Sequence, residues 1–321
     1  MQDNLIIIRV DGGIASQIGF VALGKAFEER GCRVKYDIGW FESSGRKYYS
    51  MSKGYDKDYN LSFDIPKAFP SLPIEIASKS EVRQYKNQYY IEHDSVISYP
   101  PPLYVGGYLG RHYDMYFSSL FASTFEPKEV HEKGSAFYNL LQEILGSQSC
   151  GIHIRRGDLA QYNESYGEPT SFEYFRRAIW LATRMQPQSI FYLFSDDVAF
   201  VREHIAPLIE NHSYKICDIN TPEQGYLDLY LLSRCQVIIA SHGSLGVYAK
   251  ILSPHNPLLI TSRHFKIFHE MSNVMLVNWG EQLRLSKPSA YIAPPPAKST
   301  PQPAKQNPPL YLSPFKKQII A

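Results

Sequence analysis

Near its start the chain changes polarity period twice. Leu5 to Val10 (LIIIRV) is a nearly continuous apolar run, the pattern of a strand buried on both faces. After Asp11-Gly12-Gly13 the apolar residues Ile18, Val21, Ala22, Ala26 and Phe27 recur at helical spacing, which predicts a helix over 14–30 closed by Gly31. Arg33 to Ile38 then reads as a second strand. Such a β-turn-α-β unit, with glycines in its first turn, predicts an open α/β sheet whose ligand edge lies at the strand ends.

From Gly39 to Tyr104 the pattern weakens into mixed aromatics, Lys and Asp with a break at Tyr99-Pro100-Pro101-Pro102, and irregular and short helical structure is expected. A helix over 129–145 precedes a second apolar strand, Ser149 to Ile154. Beyond it strands over 189–194, 214–217, 237–240 and 257–261 alternate with helices over 171–185, 197–206, 224–234 and 246–252. That alternation predicts a parallel sheet in a Rossmann-like layer architecture. The expected division is an α/β domain over 1–146, a second Rossmann-like domain over 147–283 and a tail over 284–321. Nine of the 22 prolines fall between Pro288 and Pro314, so the tail reads as a polyproline II or weakly ordered extension. Its last stretch, Pro309 to Ile320, carries apolar residues beside Lys316-Lys317, suited to a membrane face, a partner or the body itself.

At 321 residues the chain suits two domains with a cleft between them, which favours an enzyme. The charge balance, 33 minus 31 or +2, speaks against a nucleic-acid coat or an acidic tail. Tyrosine is frequent, at 24 residues; such rings suit sugar or base stacking as well as half-buried packing. Cys32, Cys150, Cys217 and Cys235 lie apart in or beside apolar runs and read as reduced core residues. No run approaches a membrane span, and the opening Met1-Gln2-Asp3-Asn4 lacks the basic start of a signal peptide. A cytoplasmic protein is expected, one that can visit the inner face of the membrane.

Candidate chemistry gathers at three strand ends. His153-Ile154-Arg155-Arg156-Gly157-Asp158 runs a buried strand into two arginines, a glycine and an acid. Two cations at a strand end call for an anion; guanidinium forks match phosphate oxygens, and glycine admits close backbone approach. An Arg-Asp pair capping the strand is the plainer alternative. The next strand ends in Ser195-Asp196-Asp197, which on spacing read as helix caps. Ser241-His242-Gly243-Ser244 follows the strand over 237–240 and suits a phosphate cradle, or again a cap. Together the three ends predict one shared cleft.

These segments resemble glycosyltransferase family 11, the inverting α-1,2-fucosyltransferases. His153 to Asp158 resembles the family's H-x-R-R-x-D motif, Phe194-Ser195-Asp196-Asp197 its F-S-D-D block, and Leu227 to Ser233 followed by Val237 to Ser241 its D-x-x-L-M-S to I-I-A-N-S block. Gly12 to Gln17 is similar to G-G-L-G-N-Q, with Ser16 where the family usually has Asn, and Tyr36 to Phe41 to F-D-x-x-W-F. Ser241 to Val247 departs from the family's N-S-T-F-S-W-W.

The resemblance implies a GT-B-like pair of Rossmann-type domains facing a cleft, GDP-fucose as donor, and no metal or other cofactor. It implies Arg155 and Arg156 on the diphosphate, His153 and Asp228 near the guanine, and Ser241, His242 and Ser244 on the phosphate or fucose side. Ser195 and Asp196 would belong to the same donor site, and Asp11, Gly12, Gly13 and Gln17 would face the cleft from the acceptor domain. The acceptor would be an oligosaccharide or lipid-linked glycan. For a base, Asp158 and Glu164 are the candidates and Asp11 a third, while Asp158 can equally orient an arginine.

Three rival readings stand beside this one. Asp56-Lys57-Asp58 spells the D-x-D of metal-dependent transferases, yet no strand precedes it and it reads as a solvated loop. Asp37, at the end of the second strand, sits where a dinucleotide-binding acid would meet a ribose, but the glycine order before it is wrong. A non-catalytic GDP-sugar-binding protein is the third.

Overall fold

The computed structural model describes residues 4–42, 61–86, 89–91, 96–106, 112–156, 170–209, 212–262, 271–277 and 284–285. The Asp56-Lys57-Asp58 segment lies outside them, as does the tail expected over 284–321 except for Arg284 and Leu285, which join the second sheet.

Two open α/β sheets make up the described chain. In the first, β1 (Leu5–Arg9), β2 (Arg33–Asp37), β3 (Tyr89–Ile91) and β4 (Leu103–Gly106) run in the order β2-β1-β4-β3, all parallel. Helix α1 (Ile14–Glu29) connects β1 to β2 and is buried on nearly every side. It presses close to β2, since a Cβ on Gly24 would stand 2.1 Å from the Tyr36 hydroxyl. Gly31 turns the chain after α1 at φ +79°, a left-handed conformation glycine adopts without steric cost, as expected.

The stretch expected to be irregular holds more order than its pattern suggests. It contains α2 (Ile65–Ala68), α3 (Lys79–Tyr85) and β3, and just after its proline run β4 takes the place beside β1. A fully buried strand of four residues shows no alternation, so its period is too short to read. Two short helices, α4 (His112–Tyr116) and α5 (Ser118–Thr124), follow. The helix expected over 129–145 is shorter: Lys128–His131 is a 3₁₀ turn, Gly134 turns at φ +84°, and only then does α6 (Ala136–Leu145) begin. Its start is set by the Ser135 hydroxyl, which accepts from the Tyr138 N–H at 3.0 Å.

The second sheet contains β5 (Ser149–Ile154), β6 (Ile190–Ser195), β7 (Tyr214–Ile216), β8 (Val237–Ala240), β9 (Leu258–Thr261), β10 (Val274–Leu276) and β11 (Arg284–Leu285). Their order is β11-β10-β9-β8-β5-β6-β7, parallel except where β11 meets β10. After β5 the chain adds β6 and β7 on one side, then crosses to lay β8 on the other. The switch point of this doubly wound sheet therefore lies between β5 and β8, where ligands of such sheets bind.

Alternation along the strands assigns the two faces. Cys150, Ile152 and Ile154 join Phe191, Leu193, Val237 and Ile239 beneath α7 (Phe172–Met185), which buries Tyr174, Phe175, Ala178 and Ile179 there. The opposite face, with Tyr192, Phe194, Ile238 and Ala240, meets α6, α9 (Gly225–Ser233) and α10 (Leu245–Ile251). These helices approach closely. A Cβ on Gly151 would stand 2.5 Å from Leu232, and one on Gly246 2.4 Å from Ala240. The helix expected over 197–206 is a composite: α8 (Val198–Phe200), a π turn over Val201–Ile205 and a 3₁₀ turn over Ala206–Leu208.

Helix α6 precedes residue 147 yet packs on the second sheet, where Glu143 pairs with Lys215 and the Ser147 and Tyr192 hydroxyls meet at 3.1 Å. The second unit thus takes in residues before the boundary expected at 146. Aromatic rings tie the two units together. Phe69 stacks on Phe125 at 5.0 Å, Phe125 meets Tyr230 of α9 edge-on at 5.0 Å, and one apolar cluster runs through all three. Cys150, Cys217 and Cys235 are buried, Cys32 is half-buried, and all four are free thiols. No helix among the described residues is long and apolar enough to cross a membrane.

Candidate functional site

Strand register brings the three predicted strand ends together. His153 lies opposite Phe194 on one side and Ala240 on the other, so β5, β6 and β8 finish nearly level. The chain leaving β5 enters Arg155 and Arg156, side by side at the switch point. Their side chains are 31% and 26% exposed, which places two half-buried cations at the edge of an apolar sheet.

Most hydroxyls and acids around the pair are used to build it. Ser241 extends the β8 ladder by donating its N–H to the His153 carbonyl at 3.0 Å. Its hydroxyl accepts from the Arg155 N–H at 2.7 Å, and the residue is 1% exposed. Ser241, expected on the phosphate or fucose side, is thus buried and bonded to the backbone of the arginine turn. Ser195 does similar work between strands: its hydroxyl donates to the Ile154 carbonyl at 2.8 Å and accepts from the Asp197 N–H at 3.0 Å.

Of the two acids expected to be caps, only Asp197 is one, accepting from the Phe200 N–H at 3.0 Å. Asp196 instead holds the arginine turn. One carboxylate oxygen accepts from the Arg156 N–H at 2.9 Å and the other stands 3.5 Å from the Arg155 guanidinium. The turn after β8 closes the opposite side. Thr170 fixes it by accepting from the His242 N–H at 2.8 Å, and Gly243, at φ +106°, lets it pass the Arg155 stem. Ser244 stands at the N-cap of α10 without a side-chain cap hydrogen bond.

His153 points to the face covered by α9 and α10, because its neighbours Ile152 and Ile154 point to the other. Burial, with help from the Arg155 charge, lowers its pKa to about 3, so the imidazole is neutral. Among the described residues no partner meets its buried Nδ1. Asp228 lies in the first turn of α9, the helix that leaves the same sheet edge after β7. The Asn220 amide donates to it at 2.7 Å, yet burial outweighs that bond and raises its pKa to about 7.

The first sheet presents its own edge at Asp11-Gly12-Gly13. Gly12 adopts φ +76°, and Gly13 opens α1 with no side chain capping it. Burial raises the pKa of Asp11, partly offset by the charge of Arg9. Gln17, expected to face the cleft, turns inward instead. It is fully buried, donating to the carbonyls of Gly12 at 3.1 Å and Ser62 at 2.9 Å and accepting from the Asp64 N–H at 2.8 Å. Asp37 is likewise occupied, by the Tyr104 hydroxyl at 2.5 Å and the Gly39 N–H at 2.9 Å, which leaves the ribose role of the dehydrogenase reading without its carboxylate.

Asp158 and Glu164 lie outside the described residues, as does Gly157. Three residues at the site escaped sequence reasoning: Thr170, Asn220 and Phe200. The first two act across chain breaks of the pattern and carry no local signal. Phe200 does carry one, standing three residues after the capping Asp197.

The family model described as glycosyl transferase family 11 matches residues 109–280, more than half of the chain and nearly all of the second unit. Among solved structures, POFUT1 in complex with GDP-fucose matches at 12% identity over 81% of this chain and 99% of that one, with a TM-score of 0.40. ADP-heptose heptosyltransferase II of E. coli matches at 10% identity over 81% and 84%, with a TM-score of 0.39. A glycosyl transferase family 9 protein from Veillonella parvula gives 11% identity over 88% and 89%, at 0.40. No curated protein matches the sequence.

Proposed function

From the premise that this chain belongs to glycosyl transferase family 11, we propose that it transfers L-fucose from GDP-fucose, with inversion, in α-1,2 linkage to a galactose-type acceptor. The acceptor is an oligosaccharide or lipid-linked glycan of surface polysaccharide or O-antigen synthesis, met in the cytoplasm at the inner face of the membrane. The observation that carries the donor reading is the pair Arg155 and Arg156 at the switch point of the second sheet, held by Asp196 and by the Ser241 hydroxyl.

Transfer breaks the bond between the sugar C1 and the diphosphate oxygen and forms one between C1 and the acceptor hydroxyl oxygen. Charge grows on the departing GDP, and two guanidiniums set in place beforehand stabilise it without a metal. The hydroxyl proton passes to a carboxylate, with Asp158, Glu164 and Asp11 as candidates. Asp11 has the first unit's edge to work from, and its raised pKa makes it a stronger base than an exposed aspartate. At the other end of the donor, guanine offers N–H donors to which the Asp228 carboxylate and the neutral His153 are suited.

A thermal-shift panel with GDP, GDP-fucose, GDP-mannose, UDP and NAD, each with and without EDTA, tests this, because a ligand of the native state raises apparent stability. Stabilisation by GDP and most by GDP-fucose, indifferent to EDTA, is expected. A larger shift with GDP-mannose would replace the sugar, and a shift with UDP that EDTA abolishes would overturn the metal-free diphosphate site.

A further inference from the structure

The two arginines are held in different ways. Arg155 faces a carboxylate, whereas the guanidinium carbon of Arg156 lies 3.8 Å from the centroid of the Phe200 ring, within the range of a cation–π contact. Asp197 comes only to 3.8 Å of Arg156 Nε, and its other oxygen is spent on the cap of α8. Among the described residues no hydrogen-bond acceptor meets the Arg156 guanidinium, and Nε is shielded from water. The ring beneath it is itself braced: Phe172 stacks on Phe200 at 5.6 Å, and His204 contacts Phe200 at 4.9 Å and Phe172 at 5.5 Å.

We propose that Phe200 is a positioning residue for transfer, a flat shelf that orients the Arg156 guanidinium while leaving its N–H donors to the donor diphosphate. A carboxylate in the same place would occupy those donors and neutralise the charge. A π face holds the plane of the guanidinium, consumes no N–H and keeps the positive charge intact. The chain supplies this shelf through the Asp197 cap, which starts α8 so that Phe200, three residues on, falls under Arg156; the π turn that follows places His204 against the same ring. This inference rests on the diphosphate reading of the arginine pair, and the experiment separates the two.

GDP affinity by calorimetry, together with kcat and the acceptor KM, is measured for Phe200→Leu, Phe200→Tyr, Arg156→Ala and the double variant Phe200→Leu/Arg156→Ala. Leucine keeps apolar bulk and removes the π face; tyrosine keeps the face. Phe200→Leu is expected to weaken GDP roughly 3- to 30-fold and to lower kcat with the acceptor KM unchanged. Phe200→Tyr should restore both, and Phe200→Leu should add nothing once Arg156 is alanine. Unchanged GDP affinity in Arg156→Ala would remove the diphosphate reading and this inference with it. A loss in Arg156→Ala without a loss in Phe200→Leu, or fully independent losses in the double variant, would overturn the shelf alone. Should Phe200→Leu fail to fold, Phe200→Met carries the same comparison.

Discussion

The turn after β1 and the turn after β5 hold the same place in two sheets of the same design, each beside a strand laid down across a switch point. They differ in what their polar groups are doing. At the first edge, Gln17 and Asp37 are consumed by the chain itself, leaving a glycine turn, an uncapped helix start and one half-buried acid, Asp11. After β5, two guanidiniums stand half-exposed, and the acids and hydroxyls around them fix their backbone without neutralising both. The contrast teaches that topology supplies a ligand edge, while charge left over after folding decides its ligand. An edge with two adjacent guanidiniums, partly exposed, suits a diphosphate; an edge with a single carboxylate suits a hydroxyl that must lose a proton.

The comparison breaks most visibly if the cations are removed. Arg155→Ala or Arg156→Ala is expected to lower kcat about 10²- to 10³-fold, the usual cost of deleting one group that stabilises developing negative charge. Melting temperature should hardly move, since both side chains are partly exposed and their backbone contacts survive. Steady-state kinetics with thermal denaturation checks both halves. Near-normal turnover would mean that the edge after β5 is not where the leaving group sits.

At the first edge the opposite balance is expected, a loss of stability without a loss of donor binding. Gln17→Leu leaves the Asp64 N–H and the carbonyls of Gly12 and Ser62 buried without partners, at about 1–3 kcal/mol for each group left unsatisfied. A drop of about 3 kcal/mol in denaturant unfolding, with GDP affinity kept in the folded protein, is the outcome that supports a structural Gln17. Weaker GDP binding at unchanged stability would return it to the ligand.

How much of this was legible from the chain follows the same division. The strands that line the donor edge are long apolar runs between clear turn residues, so β5, β6 and β8 could be read directly, as could the arginines that end β5. What those arginines rest on could not. Asp196 looks like a second cap beside Asp197, and only the strand register shows that it meets the backbone of Arg156. Ser241 looks like a ligand residue until its hydroxyl is found to replace a ladder partner for Arg155. In the first unit β4 was hidden because four buried residues after a proline run show no period. The composite helix after Asp197 was hidden too: hydrophobic spacing cannot tell a π turn from an α turn, yet that turn sets His204 against Phe200.

A pair of buffered titrations sharpens the donor edge most finely. His153 is buried there and Asp228 half-buried, and desolvation drives their titrations in opposite directions. Asp228 titrates near 7 in the folded protein against an ordinary 3.8, so between those values the folded state holds the extra proton and stability falls as pH rises. His153 titrates near 3 against an ordinary 6.5, so over that window the unfolded chain holds the extra proton and stability rises with pH. In the native protein the two slopes offset each other from about pH 4 to 6.5. Asp228→Asn should uncover the His153 slope, giving stability that climbs across that range in urea titrations, and His153→Gln should uncover the falling slope of Asp228. If the Asp228 carboxylate also takes the guanine N–H donors, GDP should bind the native protein more tightly as pH rises through 7, and Asp228→Asn should lose both that rise and the preference for GDP over ADP. A wild-type GDP affinity flat across pH 7, with selectivity kept in Asp228→Asn, would leave Asp228 as a structural acid of the fold and move the guanine contact elsewhere on this edge.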